Sequence, residues 1–95
     1  MNDNLDEIKK KALPLLINAG VIRSSIFGSY ARGENNIESD IDILVELPTG
    51  KSLLDLVRLE RRLGEVLAKE VDLLTYQSIS PLLKEYIQKD QFQIL

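Results

Sequence analysis

The chain predicts a small α/β sandwich, and three stretches carry that expectation. Residues 5–16 place apolar side chains at helical spacing. Residues 40–47 alternate with a period of two. Residues 52–69 read as a capped amphipathic helix that runs into a short apolar strand. The resulting order is helix, strand, short helix, strand, helix, strand, helix, within a single domain spanning residues 1–95.

Taken in order, Asn2-Asp3-Asn4 offers helix caps, and Leu5, Ile8, Ala12, Leu15 and Leu16 fall on one helical face. Pro14 lies inside that pattern and predicts a kink or an early end, because proline lacks the N–H that the preceding turn needs. Asn18-Ala19-Gly20 closes the helix. Val21 to Phe27 reads as a strand with polar Ser24 and Ser25, ended by Gly28-Ser29. Ser29 to Arg32 then opens a short helix, and 33–39 is a polar loop with two asparagines. Along 40–47, Ile41, Ile43, Val45 and Leu47 face one way, and Asp40, Asp42, Leu44 and Glu46 face the other. Pro48-Thr49-Gly50 is a turn. Ser52 with Asp55 resembles a capping box, and Leu53, Leu56, Val57, Leu63, Val66 and Leu67 mark the apolar face of the following helix. Val71 to Thr75 is a third strand. Ser80-Pro81 starts a last helix whose apolar face is Leu82, Leu83, Tyr86 and Ile87.

Bulk composition excludes several function classes. The chain has 95 residues, 44% of them hydrophobic and 28% charged, which is ordinary for a globular domain. Fifteen acids against twelve bases give a net charge of −3, which argues against broad nucleic-acid binding. There is no cysteine and no histidine. Disulfides and a histidine-based triad are therefore excluded, zinc lacks its usual nitrogen and sulfur ligands, and any metal must be held by oxygen, as magnesium, manganese or calcium are. The polar N-terminus is no signal peptide, and no apolar stretch approaches the ~20 residues a membrane helix needs. A cytoplasmic protein with no membrane association is expected.

The chemistry concentrates in two places. Asp40 and Asp42 sit two residues apart on one face of a strand, ~6.6 Å along the chain, a spacing suited to holding one or two metal ions. Without a cation these acids repel, and each favours protonation of the other. Asp72, in the third strand, adds a third carboxylate if that strand neighbours the second. It can then ligate metal or take a hydroxyl's proton. Gly28 lets backbone approach a ligand closely, and Ser29 adds a hydroxyl where a helix start points its N–H groups, a pairing suited to phosphate. Arg32, one turn on, is a further candidate for a triphosphate. Tyr30 is expected in the core, Glu46 in solvent, and the charges of Arg58, Glu60, Arg61, Arg62 and Glu65 on a solvated face. The Gly28–Gly33 spacing mimics a P-loop, but Glu34 stands where that loop needs lysine.

The strings Phe27-Gly28-Ser29-Tyr30-Ala31-Arg32-Gly33, Ser39-Asp40-Ile41-Asp42-Ile43-Leu44-Val45, Lys69-Glu70-Val71-Asp72-Leu73 and Pro81-Leu82-Leu83-Lys84-Glu85-Tyr86-Ile87 resemble the DNA polymerase β-like nucleotidyltransferase superfamily. The match is nearest its minimal nucleotidyltransferase (MNT) branch, the antitoxin halves of HEPN–MNT toxin–antitoxin pairs. The resemblance implies a small mixed β-sheet flanked by helices. It implies that Asp40 and Asp42 hold two Mg2+ ions with Asp72 completing the triad, and that Gly28 and Ser29 seat ATP. It also implies transfer of AMP to a tyrosine of a HEPN ribonuclease, with release of pyrophosphate. A chain of this size builds the metal and phosphate side of a site and leaves little to enclose an acceptor, so a protein partner is expected to supply the other wall, in an oligomer with this chain. An antitoxin that neutralises by binding alone is the second reading. Transfer to a low-molecular-weight acceptor, such as an antibiotic, is the third.

Overall fold

Alternation along 41–46 produces the strand around which everything else is arranged. The computed structural model describes residues 3–34, 40–82, 84–85 and 91–95. The elements are α1 (Asp3–Asn18), β1 (Arg23–Phe27), α2 (Ser29–Arg32), β2 (Ile41–Glu46), α3 (Leu53–Leu67), β3 (Val71–Thr75) and β4 (Phe92–Gln93), with a 3-10 turn at Tyr76–Ser78. The four strands form one mixed sheet in the order β3-β2-β1-β4. β1 runs antiparallel to β2 and to β4, while β2 and β3 are parallel, joined by α3 as their crossover.

One face of the sheet carries the core. Ile41, Ile43 and Val45 of β2 are all but fully buried, together with Ile26 of β1 and Leu73 of β3. Leu5, Ile8, Ala12 and Leu16 of α1 and Leu59 and Leu63 of α3 close over them. The opposite face, on which Asp42 and Asp72 lie, is the polar one. It includes Leu44, which is nonetheless fully buried. No helix among the described residues is long and apolar enough to cross a membrane.

Several expectations change in detail. Pro14 neither ends nor shortens α1, which continues to Asn18. Burial of Leu16 beyond the proline, at 0% exposure, holds the last turn in place despite the missing donor. The apolar stripe of α3 is displaced from the expected one. Leu59 and Leu63 are its buried positions, with Leu56 and Leu67 packed beside them, whereas Leu53, Val57 and Val66 are exposed. At 100° per residue, 56, 59, 63 and 67 share one side, and 53 and 57 turn away from it. The capping box forms as expected: the Ser52 amide donates to Asp55 Oδ2 at 2.8 Å, and the Asp55 amide donates to Ser52 Oγ at 3.4 Å. Strand β4 was not foreseen. It consists of two residues that pair with Ser25 and Ile26, too short for an alternation signal to register. Residues around Pro81 are helical, and Leu82 is exposed. Leu83, Tyr86 and Ile87, most of the 33–39 loop, and the cap side chains expected at 2–4 lie outside the described residues.

α3 ends on Ala68, a non-glycine residue held in the left-handed region at φ 55°. A Cβ in that conformation costs about 1–2 kcal/mol, part of which is recovered by the lower chain entropy of alanine when unfolded. Ala68→Gly should therefore raise stability by about 0.5–1 kcal/mol and the melting temperature by roughly 2–8 °C, measured by thermal unfolding followed by circular dichroism. A lowered melting temperature would mean that the Ala68 methyl contributes packing not visible in its exposed position.

Candidate active site

The register of two strands builds the site. Parallel pairing of β2 with β3 places Asp42 opposite Asp72, and antiparallel pairing of β1 with β2 places Phe27 opposite Asp42. The carboxyls of Asp42 and Asp72 come into hydrogen-bond contact, and the Asp40 charge acts on Asp42 from just before the strand. Asp42 is half-buried, whereas Asp40 and Asp72 are exposed. Desolvation by burial, then the charges of Asp72 and Asp40, push the Asp42 carboxyl up from the ordinary 3.8 to about 6. The guanidinium of Arg32 opposes that rise.

Gly28 is the residue that allows the carboxylate to lie where it does. Its backbone sits at φ 74°, ψ −149°, a conformation open only to glycine. A Cβ at this position would overlap the Asp42 carboxylate itself. Ser29 begins α2 directly after it, and Arg32 ends that turn, its Nε donating to Glu34 Oε1 at 2.7 Å. Tyr30 packs in the core, as expected, with Lys69 Nζ 5.9 Å from its ring centroid.

The structure thus brings Asp42, Asp72 and Gly28 together, with Asp40, Ser29 and Arg32 at the margin. Among the described residues no three acids converge closely enough to form a metal cage by themselves. The donors are all oxygen, and two like charges are held together at the cost of a raised pKa. That arrangement suits a hard divalent cation, which would relieve the repulsion.

Three contacts escaped the sequence. Tyr76 Oη donates to Ser25 Oγ at 2.9 Å, and the Arg23 guanidinium stacks on the Tyr76 ring at 4.0 Å. Arg23 also pairs with Glu46 at 2.7 Å, so Glu46 is not simply solvent-facing. Glu60, expected in solvent, turns inward and accepts from the Leu73 amide at 2.9 Å. Ser24 and Ser25, polar inside an apolar strand, were the visible hint. Both are buried, and Ser24 Oγ donates to the Leu44 carbonyl at 2.8 Å.

A mixed four-stranded sheet with paired acids beside a glycine-serine helix start is the architecture of a nucleotidyltransferase. Residues 5–92 match the family described as Nucleotidyltransferase domain, and the chain belongs to that family. Within it the chain is similar to members named protein adenylyltransferase and to a minimal nucleotidyltransferase. It is 61% identical over 92 residues to a Methanocaldococcus jannaschii protein provisionally named protein adenylyltransferase, covering 97% of this chain and 99% of that one. A solved structure described as a minimal nucleotidyltransferase superposes with a TM-score of 0.83 at 33% identity, covering 96% of this chain and 93% of that one. A chain of a toxin–antitoxin complex solved with AMP-PNP gives 0.80 at 27% identity, covering 92% and 72%.

The raised pKa has a consequence for stability. The folded Asp42 carboxyl binds its proton more tightly than the unfolded one, so this group favours the metal-free fold at pH 4 and progressively disfavours it as pH rises through about 6. Asp42→Asn should therefore raise the melting temperature at pH 8 in EDTA, with the gain vanishing near pH 4. A lower melting temperature at pH 8 would show that the carboxylate is stabilised by its surroundings rather than strained. Gly28→Ala should lose nucleotide binding and melt lower, because its methyl would displace Asp42.

Proposed function

We propose that this chain transfers AMP from ATP to a tyrosine hydroxyl of a HEPN-class ribonuclease and thereby acts as its antitoxin. The observation that carries the reading is the close packing of Gly28 against an Asp42 carboxylate that also faces Asp72. Its kinship with proteins named protein adenylyltransferase, and its likeness to a toxin–antitoxin complex holding AMP-PNP, support both the donor and the kind of acceptor.

In this reading the acceptor oxygen attacks the α-phosphorus of ATP. A new oxygen–phosphorus bond forms, the α–β bridging bond breaks, and pyrophosphate leaves. Asp40 and Asp42, with Asp72, would hold two Mg2+ ions. When bound, these supply charge neutralisation for the triphosphate and the developing negative charge. Asp72, exposed beside Asp42, would take the hydroxyl's proton. The amides at the start of α2, following Gly28, face the phosphates, and Ser29 adds a hydroxyl. Arg32, at the end of the same turn, adds positive charge near the leaving group.

A second reading draws on the lack of a converged three-acid cluster among the described residues. In it the chain neutralises its partner by occupancy alone.

Intact-mass spectrometry of the HEPN-class partner after incubation with this chain and magnesium-ATP separates the two. One or more added AMP units, absent with Asp40→Asn/Asp42→Asn, are expected. The variant should lose at least about a thousandfold in rate, in line with the loss of a group that stabilises transition-state charge. A stable complex with no added mass would overturn the transferase reading in favour of occupancy.

A further inference from the structure

The outer side of α3 departs from an ordinary solvated helix. Leu53, Leu54 and Val57 are 75%, 59% and 50% exposed, and Leu74 of the neighbouring edge strand is 43% exposed. Leu53, Val57 and Leu74 line a groove of about 680 Å³ at the C-terminal ends of β2 and β3, whose wall includes Thr75 and Tyr76. On the opposite flank of α3, Arg58, Arg61 and Arg62 share a second cleft with Lys51, against the end of α1, and the exposed ridge between groove and cleft carries Leu54, Val57, Arg58 and Arg61.

Those four cations have no ion pair among the described residues. The acids that would neutralise them are mostly committed elsewhere. Asp55 lines the same cleft, where the charges of Lys51 and Arg58 favour its ionised form, but its carboxylate is hydrogen-bonded within the capping box, while Glu60 is bound to the Leu73 amide. Glu65 remains in the cleft. A local excess of positive charge therefore stands on a chain whose net charge is −3. Exposed leucine and valine beside unpaired arginine is the composition of a protein interface: an apolar centre flanked by guanidinium donors.

We infer that the outer face of α3 docks an acidic amphipathic segment of a partner protein, its apolar side chains meeting Leu54 and Val57 on the exposed ridge and its carboxylates meeting Arg58 and Arg61 beside them. Charge complementarity selects this occupant, because a neutral or basic segment would leave the arginines unanswered. The docking face is separate from the chemistry. α3 covers the core face of the sheet, whereas the Asp42–Asp72 pair lies on the opposite face. The proposal rests on the reading above only in taking that partner to be the HEPN-class acceptor.

The test titrates the purified HEPN-class toxin with this chain by calorimetry at two salt concentrations, beside AMP transfer at saturating toxin. Val57→Asp and the pair Arg58→Glu/Arg61→Glu sit on exposed positions, and their folding is verified by thermal melting. Each should weaken binding at least about tenfold, and the arginine pair should flatten the salt dependence, while transfer at saturation stays within about twofold of wild type. Unchanged affinity in both variants overturns the docking face and leaves the transferase reading standing. Weakened affinity with no transfer by the wild-type chain does the reverse. The docking proposal also fails if the wild-type chain self-associates in sedimentation and the arginine variant does not, since the occupant is then a second copy. Binding of an RNA oligonucleotide that depends on the same arginines, with toxin affinity unmoved, overturns it as well.

Discussion

Parallel pairing of β2 with β3 is the constraint on which the rest of the molecule depends. A parallel pair cannot be closed by a tight turn, so the chain must leave the sheet, cross it as α3 and return. The same pairing fixes which residues stand side by side. With Ile41 against Val71, Asp42 must meet Asp72, while Ile43 and Leu73 must enter the core on the other face. A slip of one residue would bury a carboxylate and expose the core. The hydrophobic layer thus enforces the placement of two acids that would otherwise repel each other.

That enforcement explains how a chain of 95 residues can maintain an electrostatically unfavourable site. The repulsion falls on one half-buried group, Asp42, and is partly offset by Arg32. Against it stands a continuous core drawn from both long helices and three strands. Gly28 contributes by absence: where any other side chain would fill the space, its backbone lets the carboxylate pack directly against the turn that starts α2. The acids and the glycine-serine turn are two parts of one object, joined across the β1–β2 pair.

Much of this was legible in the residues. Alternation in 41–46 gave the strand and its polar face, Ser52 and Asp55 gave the start of α3, and the acids with Gly28-Ser29 gave the site. Of those site candidates the strands bring Asp42, Asp72 and Gly28 together, and their roles belong to the proposal. What stayed hidden was tertiary. Pro14 predicts a kink or an early end because local rules weigh the missing N–H and not the burial of Leu16 beyond it. Leu53 and Val57 were read as core because an apolar residue on a helix carries no mark of which neighbour will cover it. Glu60 reads as part of a solvated face because its partner, the Leu73 amide, lies 13 residues away, and nothing local marks Tyr76 as the partner of Ser25, 51 residues away. A two-residue strand such as β4 has no period to detect.

The bond from Glu60 to the Leu73 amide bears on how the chain behaves in a crowded cell. β3 is the border of the sheet, and a border strand offers its backbone to any extended peptide that passes. Here the middle of that border is occupied by a side chain from the chain's own crossover helix. A foreign strand, or the same strand of a sibling molecule, finds its central donor already taken. The occupied donor thereby works against edge-to-edge stacking of copies.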